Sequence, residues 1–201
     1  HEYEGKSMLE TISIMLNSGY LDKIKPKYII LQSVERHSVQ RFMEQVNFEG
    51  NVPLQEVENY YKEIENKKNS QNIIPFVNNG NFKCFWYKFL YLFSDHAFFS
   101  QTYIKDLSQD LFSVKNGNKL LFHYADLNHI PFSTEENIVK LNENLNILSE
   151  RLAPKGIKLY FMPAVDKYNL YSDYIIDNPY PKSTFFENLR PLEKKYYFID
   201  T

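Results

Sequence analysis

Chemistry in this chain gathers where apolar runs end in charged or hydroxyl-bearing residues. The segment Gly156 to Tyr171, GIKLYFMPAVDKYNLY, takes a β-type run straight into a stretch carrying Asp166, Lys167 and Tyr171. In open α/β sheets, ligands collect where strands give way to loops, so this stretch is a candidate wall of a site. A second apolar run, Tyr28 to Val34, ends in Glu35 and Arg36. Arg36 offers a planar fork that can hold a carboxylate or another oxygen acceptor, whereas Lys167 offers only a point charge. The Tyr171 hydroxyl can donate to an oxyanion, and its ring can stack on a sugar. Plainer roles compete with these. Glu35 and Arg36 can form solvated or mutual ion pairs, and Asp166 can cap a turn ahead of Tyr168 and Asn169.

Other chemical patterns are weaker. Gly5-Lys6-Ser7 before an apolar helix has the ending of a phosphate-binding loop. Its first glycine would have to precede His1, and Glu2 and Glu4 would set negative charge beside the phosphates, so Ser7 is expected to cap the helix instead. His1, His37, His96, His123 and His129 have no zinc-ligand spacing, and Ser94-Asp95-His96 are too close in sequence to converge on one atom. No metal and no cofactor therefore enters the reading. Cys84 is the single cysteine, which excludes an internal disulfide and leaves the redox compartment open.

The elements that would position these residues follow from periodicity. Met8, Ile12 and Met15, with Leu9 and Leu16, predict a helix over 5–18 closed by Gly19. Tyr28 to Val34 predicts a strand buried on both faces of a sheet. Pro53 opens a helix over 53–66, and the polar segment 65–72 reads as an exposed loop. The aromatic stretch 82–112 lacks a clean period and is assigned to helix, its rings to packing unless they emerge together as a sugar-stacking or partner-binding patch. Ser133-Thr-Glu-Glu136 fits a capping box, followed by Ile138, Leu141, Leu145, Leu148 and Leu152 at helical spacing and by Gly156 beyond the end. A strand over 157–162, a helix over 184–194 and a strand over 196–200 complete the pattern. Such alternation predicts an α/β protein with a mainly parallel sheet and right-handed crossovers.

Composition bounds the whole. A chain of 201 residues, 43% hydrophobic and 16% aromatic, suits one α/β domain over 1–201 with an aromatic-rich insertion at about 73–117. Lysine and arginine total 23 against 25 acids, so the chain lacks the basic excess of a general nucleic-acid binder. The aromatic run Phe82 to Phe93 is interrupted by Lys83 and Lys88 and falls well short of the ~20 apolar residues of a membrane span. No export signal is visible at the start. His1 in place of methionine, and an apolar run just before Thr201, predict that the polypeptide continues at both ends.

Tyr28-Ile-Ile-Leu-Gln-Ser-Val-Glu-Arg36 and the segment Gly156 to Tyr171 resemble the SGNH-hydrolase-like proteins related to alginate O-acetyltransferases. In that family one strand ends in Glu-Arg, and another enters a Pro-Asp-Lys-x-x-x-Tyr loop. Here two residues separate Pro163 from Asp166, and the likeness covers about 1–48 and 118–201. It implies a three-layer α/β/α fold and serine-dependent acyl-ester transfer or hydrolysis on a polysaccharide of the bacterial cell envelope. The implied setting is periplasmic or extracellular, and the implied partner is an acylated glycan or acyl donor. Glu35, Arg36, Asp166, Lys167 and Tyr171 would bind substrate or support the site.

The family's Gly-Asp-Ser turn and Asp-x-His-Trp segment are absent from the chain. A serine hydroxyl is a poor nucleophile until an imidazole takes its proton and a carboxylate fixes that imidazole's tautomer. The resemblance therefore places the serine block before His1 and the Asp-x-His block after Thr201, and leaves this chain to supply the site wall. Asp126-Leu-Asn-His129 has the Asp-x-x-His spacing of many SGNH esterases. It precedes a capped helix without a Gly-Asp-Ser turn upstream, so it reads as an Asn-rich loop leading to Pro131. A non-catalytic carbohydrate-binding or assembly module on the same fold is the alternative.

Overall fold

Ser7 starts the first helix, α1 (Met8–Asn17), through a reciprocal cap: its hydroxyl accepts from the Glu10 amide and the Glu10 carboxylate accepts from the Ser7 amide, both at 3.2 Å. Gly5-Lys6-Ser7 is thus a helix start. Gly19, at φ +79°, then turns the chain into α2 (Tyr20–Ile24), a conformation in which a Cβ is strained. The computed structural model describes residues 3, 5–68, 87, 89–93, 100–114 and 117–200. Their contacts divide the chain into two units, one of 1–71, 132–164 and 184–201, the other of 72–131 and 165–183. The second unit is wider than the aromatic insertion expected at about 73–117, because 118–131 and 165–183 join it.

In the first unit β1 (Tyr28–Val34) leads directly into α3 (Glu35–Phe42), so Glu35 and Arg36 open a helix instead of trailing a strand. After α4 (Leu54–Lys68) and the second unit's first segment comes the long helix α6 (Glu135–Leu152), followed by β4 (Lys158–Ala164), α8 (Phe185–Leu189) and β5 (Tyr197–Phe198). β1 and β4 run parallel from Tyr28↔Lys158 to Val34↔Ala164, and β5 runs parallel to β4 on its other side. The expected parallel sheet with helices is observed, in the order β1-β4-β5. Both crossovers step the same way across the sheet, so right-handed connections place their helices on one face. α6 accordingly packs on β4, α1, α3 and α8, and its Leu141, Leu145, Leu148 and Leu152 are buried, as are Phe42 of α3 and Phe161 of β4.

That arrangement corrects the expectation for β1. Leu31 and Ser33 are buried, but Tyr28 is 56% and Ile30 61% exposed, because among the described residues β1 is an edge strand with helices on one side only. On the open face Tyr28, Tyr160 and Tyr197 stand side by side, with ring centroids 5.9 and 4.7 Å apart. β5 is also shorter than the expected 196–200 strand. The Ile199 amide donates to the Phe161 carbonyl, so alternation turns Pro163 toward β5, where it has no N–H to continue the ladder. α8 ends before Pro191, far short of residue 194: Arg190 keeps helical backbone at φ −55° and ψ −41°, but Pro191 has no N–H to continue the helical hydrogen bonds.

Two further boundaries differ. The cap of α6 is Thr134, whose hydroxyl accepts from the Asn137 amide at 3.3 Å, one residue beyond the expected Ser133. The Glu136 side chain pairs instead with Lys140, 2.7 Å away, one helical turn on. α4 begins after Pro53 as read, yet continues to Lys68 into the segment expected as loop; residues 69–72 lie outside the described residues.

In the second unit β2 (Thr102–Asp106) pairs antiparallel with β3 (Lys119–His123), and α5 (Ala125–Asn128) and α7 (Lys167–Tyr171) complete the frame. A helix throughout 82–112 is therefore overturned from Thr102 onward. Tyr103 stacks flat on Phe122, at 5.3 Å, and this contact with a distant strand outweighs local propensity. Residues 82–86, 88 and 94–99, with Cys84, Trp86 and Ser94-Asp95-His96, lie outside the described residues. Of the aromatic stretch, Tyr103 and Phe112 pack on a core of Leu107, Leu120, Phe122, Tyr168 and Ile175, whereas Phe89 and Phe93 are exposed. Among the described residues no helix is long and apolar enough to cross a membrane.

Candidate functional site

The second unit gathers buried polar side chains around α7. Asp166 holds the N-cap position of that helix, with extended backbone at φ −71° and ψ 144°, yet its carboxylate makes no cap hydrogen bond. The first-turn amide it would take, that of Tyr168, is met at 3.4 Å by Oδ2 of Asp126 from α5. One aspartate thus caps the helix from another part of the chain. The other is released for a different partner.

That partner is His129. Its Nδ1 stands 3.9 Å from Asp166 Oδ2, and both side chains are almost wholly buried, at 4% and 1% exposure. The Ala125 carbonyl oxygen lies 3.4 Å from the same nitrogen. Both oxygens are acceptors, so the tautomer that carries its proton on Nδ1 suits this side of the ring and would leave the lone pair on Nε2. Burying a carboxylate is costly unless a donor compensates it, so each member of the pair lowers the cost of the other.

A polar scaffold holds α7 in place. The Tyr168 hydroxyl donates to the Tyr180 carbonyl at 2.9 Å and accepts from Asn178 Nδ2 at 3.0 Å. Burial pushes this hydroxyl's pKa up, which keeps it a donor. Asn178 also donates to the Ser172 carbonyl at 3.2 Å, and the Ser172 hydroxyl donates to the Asn169 carbonyl at 3.2 Å. Backbone and side chains at the C-terminal end of α7 are therefore tied together.

The residues expected to form a site belong to both units. Asp166, Lys167 and Tyr171 lie in the second unit, Glu35 and Arg36 in the first. Lys167 is exposed on the first turn of α7. Tyr171 packs on the unit's core with its ring edge-on to Phe112 at 5.3 Å. Glu35 is fully buried in the first turn of α3, so a solvated strand-end pair does not describe it; Arg36 is half-buried beside it.

An Asn-rich loop is the sequence expectation for His129. The histidine instead follows the short helix α5, where three-residue spacing sets Asp126 and His129 on one side of a turn. The Asp-x-x-His spacing was the available signal, although His129 faces Asp166 while Asp126 serves the Tyr168 amide. Chemically, a histidine with its Nδ1 turned to a buried carboxylate is an arrangement that general-base catalysis can use. No protein-family model, no curated protein and no solved structure matches the chain.

Proposed function

We propose that this chain is the SGNH-like part of a serine-dependent acyl-ester transferase or esterase acting on a cell-envelope or exported polysaccharide. His129 is its base and Asp166 its orienting acid, with the nucleophilic serine in polypeptide outside these residues. The buried His129–Asp166 pair at 3.9 Å carries this reading. The likeness of Gly156 to Tyr171 to the O-acetyltransferase relatives, and the parallel sheet that ends just before Asp166, support it.

In this reading His129 Nε2 takes the serine proton as the hydroxyl attacks the ester carbonyl, and Asp166 stabilises the imidazolium that forms. The tetrahedral oxyanion then collapses with loss of the alcohol, which recovers the proton from His129. A water or a glycan hydroxyl repeats the sequence in reverse on the acyl-enzyme. Lys167 is exposed at the start of α7 and in this reading would meet an anionic group of the sugar.

The test uses the intact gene product, an acetylated glycan, an acetyl aryl ester and a fluorophosphonate that labels activated serine. Ester turnover with serine labelling is expected, falling about 10²–10⁴-fold in His129→Gln. Asp166→Asn should depress kcat while the circular-dichroism spectrum of each variant is retained. Retained glycan binding with neither labelling nor turnover would overturn the enzyme reading and leave a carbohydrate-binding module.

A further inference from the structure

Among the described residues, no strand pairs with the outer edge of β1. The Lys27 carbonyl accepts from the Lys158 amide at 3.1 Å. Strand alternation then turns the main-chain groups of Ile29, Leu31 and Ser33 toward β4, and those of Tyr28, Ile30 and Gln32 outward. Such a row of donors and acceptors is a template for another strand. Within Tyr28–Val34 there is no proline, no charged residue and no bulge in the register with β4, the usual devices that blunt an edge.

Beside this edge lies a groove of about 580 Å³ between α1 and β1, lined by Met8, Ile12, Met15, Ile29, Leu31 and Arg41. All of these residues belong to the first unit. A strand laid along β1 would send alternate side chains to opposite faces, one set into the groove and the other beside exposed Tyr28 and Ile30. Methionine side chains adapt to varied apolar shapes, which suits a groove that receives side chains from another segment.

Charge selects the occupant. Lys25 and Lys27 are exposed immediately before β1, and Arg41 is exposed at the groove. Acidic side chains flanking an incoming strand would be attracted to this positive rim, whereas a second copy pairing parallel would bring its own Lys25 and Lys27 to it. We propose that the β1 edge receives an extended segment of a partner polypeptide, apolar at alternate positions and acidic at its flanks, as a fourth strand of the sheet. Main-chain hydrogen bonds would supply much of the affinity, and the groove the selectivity. Nothing in this surface depends on the His129–Asp166 chemistry.

The probe is a synthetic peptide of alternating valine and threonine flanked by glutamates, titrated into the 201-residue chain by calorimetry and by amide hydrogen exchange. Expected are saturable binding and slowed exchange at the Tyr28, Ile30 and Gln32 amides. N-methylation of alternate peptide amides should abolish binding in one register and spare it in the other, a control that alters no protein residue. Ile30→Pro should weaken binding at least tenfold with the fold retained, because its amide faces away from β4. Replacing the flanking glutamates by lysines should weaken binding as well. Lack of binding, indifference to N-methylation register, or protection of the same amides by a concentration-dependent dimer would each overturn the proposal.

Discussion

Asp126 and Asp166 are the same residue type in one buried cluster, and their neighbours separate their roles. Asp126 accepts from the Tyr168 amide, and Asp166 faces His129. Asp126→Ala should cost about 0.5–2 kcal/mol by removing a helix cap, with Asp126→Asn recovering most of it, both read from chemical denaturation. Tyr196 and Asn142 form a second buried pair, in which the phenol donates to Asn142 Oδ1 at 2.9 Å. Tyr196→Phe strands that acceptor and should cost about 1–3 kcal/mol. Tyr61 sets a pH dependence. Burial, aided by Tyr60, Tyr20 and Tyr3, pushes its hydroxyl from 10.0 up to about 12. The folded state favours the neutral phenol, so its contribution is complete below pH 10 and is lost as pH rises toward 12. The melting temperature should fall across that window, and fall less in Tyr61→Phe; Tyr168 and Tyr196, also shifted upward, account for the remainder. Asp166 was identifiable from its position after a strand, whereas its pairing with His129 depends on two segments meeting in space.

At the scale of elements, β1 makes the sharpest contrast between adjacent residues. Ile30 is exposed and Leu31 buried, so Leu31→Lys should abolish cooperative unfolding while Ile30→Lys should shift stability by no more than about 0.5 kcal/mol. A strand buried on both faces would make the two substitutions equally damaging, and circular dichroism with a denaturant titration distinguishes the cases. Apolar composition announced the strand correctly and overstated its burial, since composition does not record which face the crossovers leave open. In α6 the periodicity of Ile138, Leu141, Leu145, Leu148 and Leu152 was decisive, and all five are buried. Its cap moved one residue because Ser133 and Thr134 are both competent, and the preceding turn selects between them.

Each of the two units buries apolar residues of its own. Leu145 belongs to the first unit, and Phe122 to the second with Leu107, Leu120, Tyr168 and Ile175. Leu145→Ala should cost about 2–5 kcal/mol and Phe122→Ala about 3–5 kcal/mol, each read from the amide protection of its own unit. The sequence by itself determined the local features: the Ser7 cap, the long amphipathic helix, the strands near Tyr28 and Lys158, and the alternation that makes their pairing parallel. These depend on residues within a few turns of one another. Only the tertiary structure decided that β2 leaves the expected helix to pair with β3, that Tyr28 and Ile30 of β1 stay exposed, and that Asp166 faces His129. Each of those outcomes is a contact between residues far apart in the chain, and short-range periodicity carries no information about which distant partner closes it.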